Sequence, residues 1–218
     1  MAARYLRSFV LFSLCIVLIL PMMLLTGCGS SESTFRGYVY ADGPVSNAEL
    51  SVYDASGKKI LQSDQLTADE QGMILLNAAK TLPADFRIVA EGGTMNGVTF
   101  DAVLSADIRG YQSDTDTIYV NPATTIVSAY LDKNTDADYA GAALAVKRFL
   151  EIPEAVDLPS GTQLSSETFN IGQFLQEAGD NGGIDSFVQT LLTEMEAGET
   201  HPFQEPLGLQ GLASGLAI

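Results

Sequence analysis

The chain has 218 residues, with 27 acidic and 11 basic side chains, a formal net charge of −16, one histidine, two cysteines and no tryptophan. Such a charge repels the phosphates of nucleic acid and of anionic lipid headgroups, which excludes nucleic acid as a partner; a well-solvated surface is the ordinary explanation for it. One histidine and two cysteines leave little material for nucleophilic triads or for zinc sites built on cysteine pairs.

Arg4 and Arg7 are the only charges before Glu32. Phe9 to Leu25 is an apolar run interrupted by Ser13 and Pro21, and it leads into Leu25-Thr26-Gly27-Cys28 and then a polar stretch, Gly29-Ser-Ser-Glu-Ser-Thr34. A positive start, an apolar middle and small residues before a polar linker are the parts of a cleaved secretion signal. The rival is an uncleaved membrane helix, for which this run is about the shortest that could span a bilayer. Small residues before the cysteine and the abrupt change to a Ser-rich linker favour cleavage.

Leu25-Thr26-Gly27-Cys28 resembles the lipobox of bacterial lipoproteins. The resemblance implies recognition of Leu25, Thr26 and Gly27 by the lipoprotein signal peptidase, diacylglyceryl transfer to the Cys28 thiol, cleavage before Cys28, and acylation, such as palmitate, on the freed amine. Each buried methylene contributes roughly 0.8 kcal/mol, so two or more chains anchor stably where one is marginal. Cleavage removes Cys15 with the signal and leaves Cys28 as the one cysteine, so no intrachain disulfide can form. It also removes two bases and no acids, taking the net charge from −16 to −18 over 191 residues. That length is enough for one or two domains with real cores.

From Thr34 to Val120 short alternating apolar segments are separated by Gly, Asp, Asn and Pro. The spacing predicts strands over Phe35–Tyr40, Glu49–Tyr53, Lys58–Gln62, Met73–Asn77, Phe86–Glu91, Val98–Ile108 and Thr117–Val120. Turn signals recurring roughly every 8–12 residues are the mark of a β-sandwich. Gly92-Gly93 and Asn96-Gly97 suit positive-φ turn positions.

At Asn121-Pro122 the period changes, with Asn placed as N-cap and Pro at the first helical position. Helices are predicted over Thr124–Leu131, from a cap at Asp136 or Asp138 to about Leu150, over Thr168–Ala178, and over Ile184–Ala197. Ile126, Val127 and Tyr130, then Leu144, Val146, Phe149 and Leu150, then Phe187, Leu191, Leu192 and Met195 would face the core. The tail Leu207–Ile218 is apolar and rich in small residues. Docking on the protein is its plainest reading; membrane contact and the start of a further domain are the others.

Gly37-Tyr-Val-Tyr-Ala-Asp-Gly-Pro-Val-Ser-Asn-Ala-Glu-Leu-Ser-Val-Tyr-Asp54 and Thr67-Ala-Asp-Glu-Gln-Gly72 resemble the carboxypeptidase regulatory-like, transthyretin-like domains of bacterial surface proteins. Gly72-Met-Ile-Leu-Leu76 stands where that family has Gly-x-Phe. Val120-Asn-Pro-Ala-Thr-Thr-Ile-Val127 resembles the segment that follows such domains in bacterial lipoproteins. The resemblance implies a folding and interaction module with no catalytic residues to carry over.

Chemistry-bearing patterns are few. Asp132-Lys-Asn-Thr-Asp136-Ala-Asp138 opens like a calcium loop, but Ala137 and Ala143 occupy the positions that an EF-hand gives to Gly and Glu, so a polar loop with a capping Asp is expected. Asp114 and Asp116 read as a solvated turn. His201, before Pro202, reads as part of a connecting segment; no Gly-x-Ser-x-Gly elbow exists, and Ser214 lies in the tail. Gly92-Gly93-Thr94 and Gly179–Gly183 lack the Lys of a phosphate loop. Tyr38, Tyr40 and Tyr53 read as packing residues rather than a sugar platform.

The fold expected is mainly β plus α: an Ig-like or transthyretin-like sandwich over residues 35–121 and a small α-helical region over 122–200. A signal peptide over 1–27 and a lipidated tether over 28–34 precede them, and an apolar tail over 201–218 follows. No catalytic residue, cofactor or metal is assigned. The expected function is that of a non-enzymatic extracytoplasmic lipoprotein, held to membrane by lipid on Cys28, with a structural or protein-interaction role and an envelope protein as partner. The alternative is a lipoprotein that binds a small molecule or glycan between sandwich and helices. Gly29 is not the aspartate associated with inner-membrane retention, so the outer membrane is preferred if the cell is Gram-negative.

Overall fold

A computed structural model of the chain describes residues 33–61, 67–78, 82–111, 117–159 and 169–203. Residues 1–32, read as signal peptide and start of the tether and including Cys28, lie outside them, as do Asp114, Asp116 and the tail from residue 204. Among the described residues there are ten strands: Ser33–Val39 (β1), Val45–Ser46 (β2), Glu49–Asp54 (β3), Lys59–Leu61 (β4), Met73–Ala78 (β5), Phe86–Glu91 (β6), Thr94–Met95 (β7), Val98–Thr99 (β8), Val103–Ile108 (β9) and Thr117–Val120 (β10). Four helices follow: Pro122–Lys133 (α1), Tyr139–Phe149 (α2), Ile171–Asp180 (α3) and Ile184–Ala197 (α4). The chain is therefore an α+β protein with several antiparallel pairings.

The strands form two main sheets, ordered β10-β1-β5 and β4-β3-β6-β9, with a small β2-β7-β8 sheet beside them. All neighbours are antiparallel except β1 and β10, which run parallel, with Arg36 opposite Thr117 and Val39 opposite Val120. Period-two alternation sends Leu50 and Val52, Phe86, Ile88 and Ala90, and Leu104, Ala106 and Ile108 to one face of the four-stranded sheet. Phe35 of the three-stranded sheet meets Phe86 edge-on at 5.9 Å between ring centres, and Tyr111 packs against both.

Turn chemistry explains the strand ends. Asp69 Oδ1 accepts from the Gln71 and Met73 N–H groups at 2.8 Å each, and Gly72 follows with φ +70°. A Cβ at Gly72 would lie 2.6 Å from Val39 O, so only glycine lets β1 pass this close. Asn96 and Gly97, with φ of 52° and 79°, make the two-residue turn between β7 and β8. The expected single strand Val98–Ile108 is divided into β8 and β9, because Phe100 turns into the core and its N–H donates to Gly93 O (3.0 Å). β1 begins at Ser33, inside the stretch read as tether.

The passage from sheet to helix is a dense polar joint. Asn121 accepts from Thr124 N–H (3.0 Å), and its own N–H donates to Thr124 Oγ1 (3.0 Å), closing a reciprocal cap. The Thr124 hydroxyl also donates to Ser105 O (2.8 Å), while Thr125 Oγ1 accepts from Ser105 N–H (3.0 Å) and donates to Asn121 O (2.8 Å). Ser105 sits in β9, the edge strand, so two adjacent threonines satisfy the backbone groups that an edge leaves open. All residues of α1 from Pro122 to Ser128 are buried.

The later helices keep the predicted caps at Asp138 and start at Asn170 rather than Thr168, because Asn170 accepts from Gln173 N–H. In α2 the buried residues are Ala142, Ala143, Val146 and Phe149, with Leu144 half-buried. The described residues from Ser33 onward belong to one compact unit with a continuous core from Phe35 to Phe203.

Thr124→Val and Thr125→Val are expected to destabilise the protein by about 1–3 kcal/mol each, the cost of an orphaned buried polar group. Urea unfolding should show a lower midpoint with an unchanged slope.

Candidate functional site

The outer face of the four-stranded sheet carries a polar row. Tyr53, Arg87 and Asp107 lie side by side across β3, β6 and β9. Asp107 is 5 % exposed, and Arg87 holds it through Nε and Nη2, each 2.8 Å from Oδ2. Arg87 Nη1 also reaches both oxygens of Asp132, near the end of α1, at 2.8 and 2.9 Å. Arg109 makes a longer contact, Nη2 to Asp107 Oδ1 at 3.4 Å. Burial pulls the Arg87 guanidinium down, but Asp107 and Asp132 more than offset this and raise its pKa.

This network floors a groove of 610 Å³ where the sheet meets α1, lined also by Asp54, Val89, Leu131 and Thr135. The size falls within the range of about 300–1,000 Å³ usual for small-ligand sites. The Arg87 donors are largely consumed by the two aspartates, whereas Arg109, which also lines the groove, makes only long contacts, Nη1 to Ile108 O and Nη2 to Asp107 Oδ1, at 3.4 Å each. Asp132 is 63 % exposed, so its pairing is worth at most about 1 kcal/mol. Asp107 is the partner whose isolation would be costly.

A second cluster lies among the helices. His201 Nδ1 is 2.7 Å from Glu194 Oε2 on α4, and its Nε2 is 2.9 Å from Glu177 Oε2 on α3. The ring stacks on Phe203 at 4.7 Å and meets Phe187 edge-on at 5.9 Å. Because the carboxylates sit off different ring nitrogens, on opposite sides, they do not converge with one nitrogen on a common point. Among the described residues no group of three or more His, Cys, Asp or Glu is placed to hold a metal.

Leu25, Thr26, Gly27 and Cys28 lie outside the described residues, as does Ser214. In the stretch that opens like a calcium loop, Asn134 caps α1, Asp138 accepts from Gly141 N–H and caps α2, and Asp132, in the last turn of α1, pairs with Arg87. Tyr38 stacks on Tyr119 at 5.5 Å in one main sheet, whereas Tyr53 is in the other, beneath Lys59. His201, read as a connecting residue, is instead a bridge between two helices. Its partners are 24 and 7 positions away, which no local pattern signals. The Arg87–Asp107 pair left no such signal, because Asp107 alternates with Ser105 on the polar face of β9, as any exposed acid would.

Comparison with protein-family models, with curated proteins and with solved structures gives no match.

Removing Arg87 alone should cost up to about 3–5 kcal/mol, because it leaves the buried carboxylate of Asp107 with the longer contact to Arg109. Arg87→Met combined with Asp107→Leu should recover most of that loss in the same denaturation measurement.

Proposed function

We propose that this chain is a lipid-anchored lipoprotein of the bacterial cell envelope, whose folded body serves a non-enzymatic structural or protein-interaction role. The observation that carries this reading is Leu25-Thr26-Gly27-Cys28 placed just ahead of the folded body. Four residues separate Cys28 from Ser33, where β1 begins. A span of that length reaches at most about 18 Å when fully extended. Lipid on Cys28 would thus hold the body close to a membrane surface, as an envelope component meeting neighbours there requires. Among the described residues no helix is long and apolar enough to cross a membrane.

Two features support a module rather than a catalyst. The three- and four-stranded sheets with a shared core fit a transthyretin-like sandwich. The pairing departs from the Ig constant-type order, in which the first two strands are neighbours; here β1 lies between β10 and β5. The sole histidine faces carboxylates at both ring nitrogens rather than a serine or cysteine.

A second reading, favoured by the groove over Tyr53, Arg87 and Asp107, is a lipoprotein that binds a small polar ligand or glycan. Arg109 would supply the donors to an oxygen-rich group, with Val89 and Leu131 as an apolar wall.

Metabolic labelling with palmitate should mark the wild-type protein and leave Cys28→Ala unlabelled and unprocessed. In-cell crosslinking of the wild type should capture an envelope protein that the variant loses. An unlabelled wild type would defeat the anchor. For the second reading, screening sugars and metabolites by NMR should move the amides of Tyr53, Arg87 and Arg109; shifts confined elsewhere would defeat it.

A further inference from the structure

His201, Pro202 and Phe203 fasten three helices at once. His201 N–H donates to Phe149 O at the end of α2 (2.8 Å), the imidazole bridges α3 and α4, and Asn170 N–H at the head of α3 donates to Phe203 O. Phe203 is fully buried, with Phe169, Phe174 and Phe187 at 5.5, 5.4 and 6.0 Å. Three residues thus close the phenylalanine cluster that joins α3 to α4.

With both glutamates ionised the bridge has one fully satisfied state: a carboxylate can only accept, so both ring nitrogens donate, as an imidazolium does. A neutral ring turns one lone pair toward a carboxylate less than 3 Å away, replacing a charge-assisted bond by repulsion. The charged groups acting on the ring are Glu177 from α3 and Glu194 from α4. From α2 it meets the Phe149 ring and carbonyl, and from α4 also Phe187.

We propose that residues 201–203 form a proton-operated strap: the bridged imidazolium of His201 holds α3 to α4 over the phenylalanine cluster, and loss of its proton to solvent loosens them. Burial disfavours the charged ring, but the two glutamates outweigh it and hold the pKa above the ordinary 6.5. The strap's contribution is therefore complete below pH 6.5 and is lost as pH rises through the higher folded value. An extracytoplasmic protein meets the pH of its surroundings directly, which gives such a strap something to sense. The strap itself does not rest on the lipid anchor.

The test is a titration of the His201 ring resonance in the mature protein, paired with amide exchange of residues 171–203 corrected for intrinsic pH dependence. The midpoint should lie above 6.5. Exchange in α3 and α4 should quicken roughly 10- to 100-fold across it, the loss of one charge-assisted bond, while β3 and β6 stay protected. Glu177→Gln should lower the midpoint, and His201→Gln should abolish the step. A midpoint at or below 6.5, exchange that stays flat through the titration, or a step that survives in His201→Gln would overturn the proposal. If a variant fails to fold, the wild-type titration alone decides.

Discussion

The molecule turns on the contact between Ser105 and the threonine pair at the head of α1. Strand β9 ends the four-stranded sheet and would otherwise present open backbone groups. Thr124 and Thr125 take both groups of Ser105 while the same residues close the cap with Asn121. One short segment thus ends the sheet, starts the helix and fixes the angle between them. Pro122 adds to this by presetting the first helical dihedral without needing a hydrogen bond.

From this joint follows the groove. Its floor comes from β3, β6 and β9, and its side from Leu131, Asp132 and Thr135 at and after the end of α1. Were α1 to detach, Arg87 would lose Asp132 and keep only Asp107 of its two carboxylates. The two-armed grip of Arg87 therefore records the position of the helix, even though the Asp132 arm adds little energy.

Local chemistry was legible in the sequence and long-range pairing was not. Asn121-Pro122, Asp138 and the Asp180-Asn-Gly-Gly183 link fix helix ends through side-chain caps and positive φ, effects that act within a few residues. The bounds Phe86–Glu91, Thr117–Val120 and Ile184–Ala197 accordingly agree with the sequence reading. The parallel pairing of β1 with β10 joins residues about eighty positions apart, Arg36 with Thr117, and no period encodes it. β2 and β7, at two residues each, are too short for any alternation to register. The candidate sites share this limit. Leu25-Thr26-Gly27-Cys28 can resemble a motif because its residues are contiguous, whereas the Arg87–Asp107–Asp132 network and the His201 bridge are assembled from separate elements.

If the sandwich and α1 are one cooperative unit, the groove is a permanent feature that a ligand or neighbouring protein can use. Native-state hydrogen exchange on the protein in increasing denaturant addresses this directly. The account predicts that amides of β9 and of the first two turns of α1 open together, with the same free energy and the same denaturant dependence. An α1 that opens at much lower free energy than β9 would contradict it, and would mean that the groove is not a fixed surface.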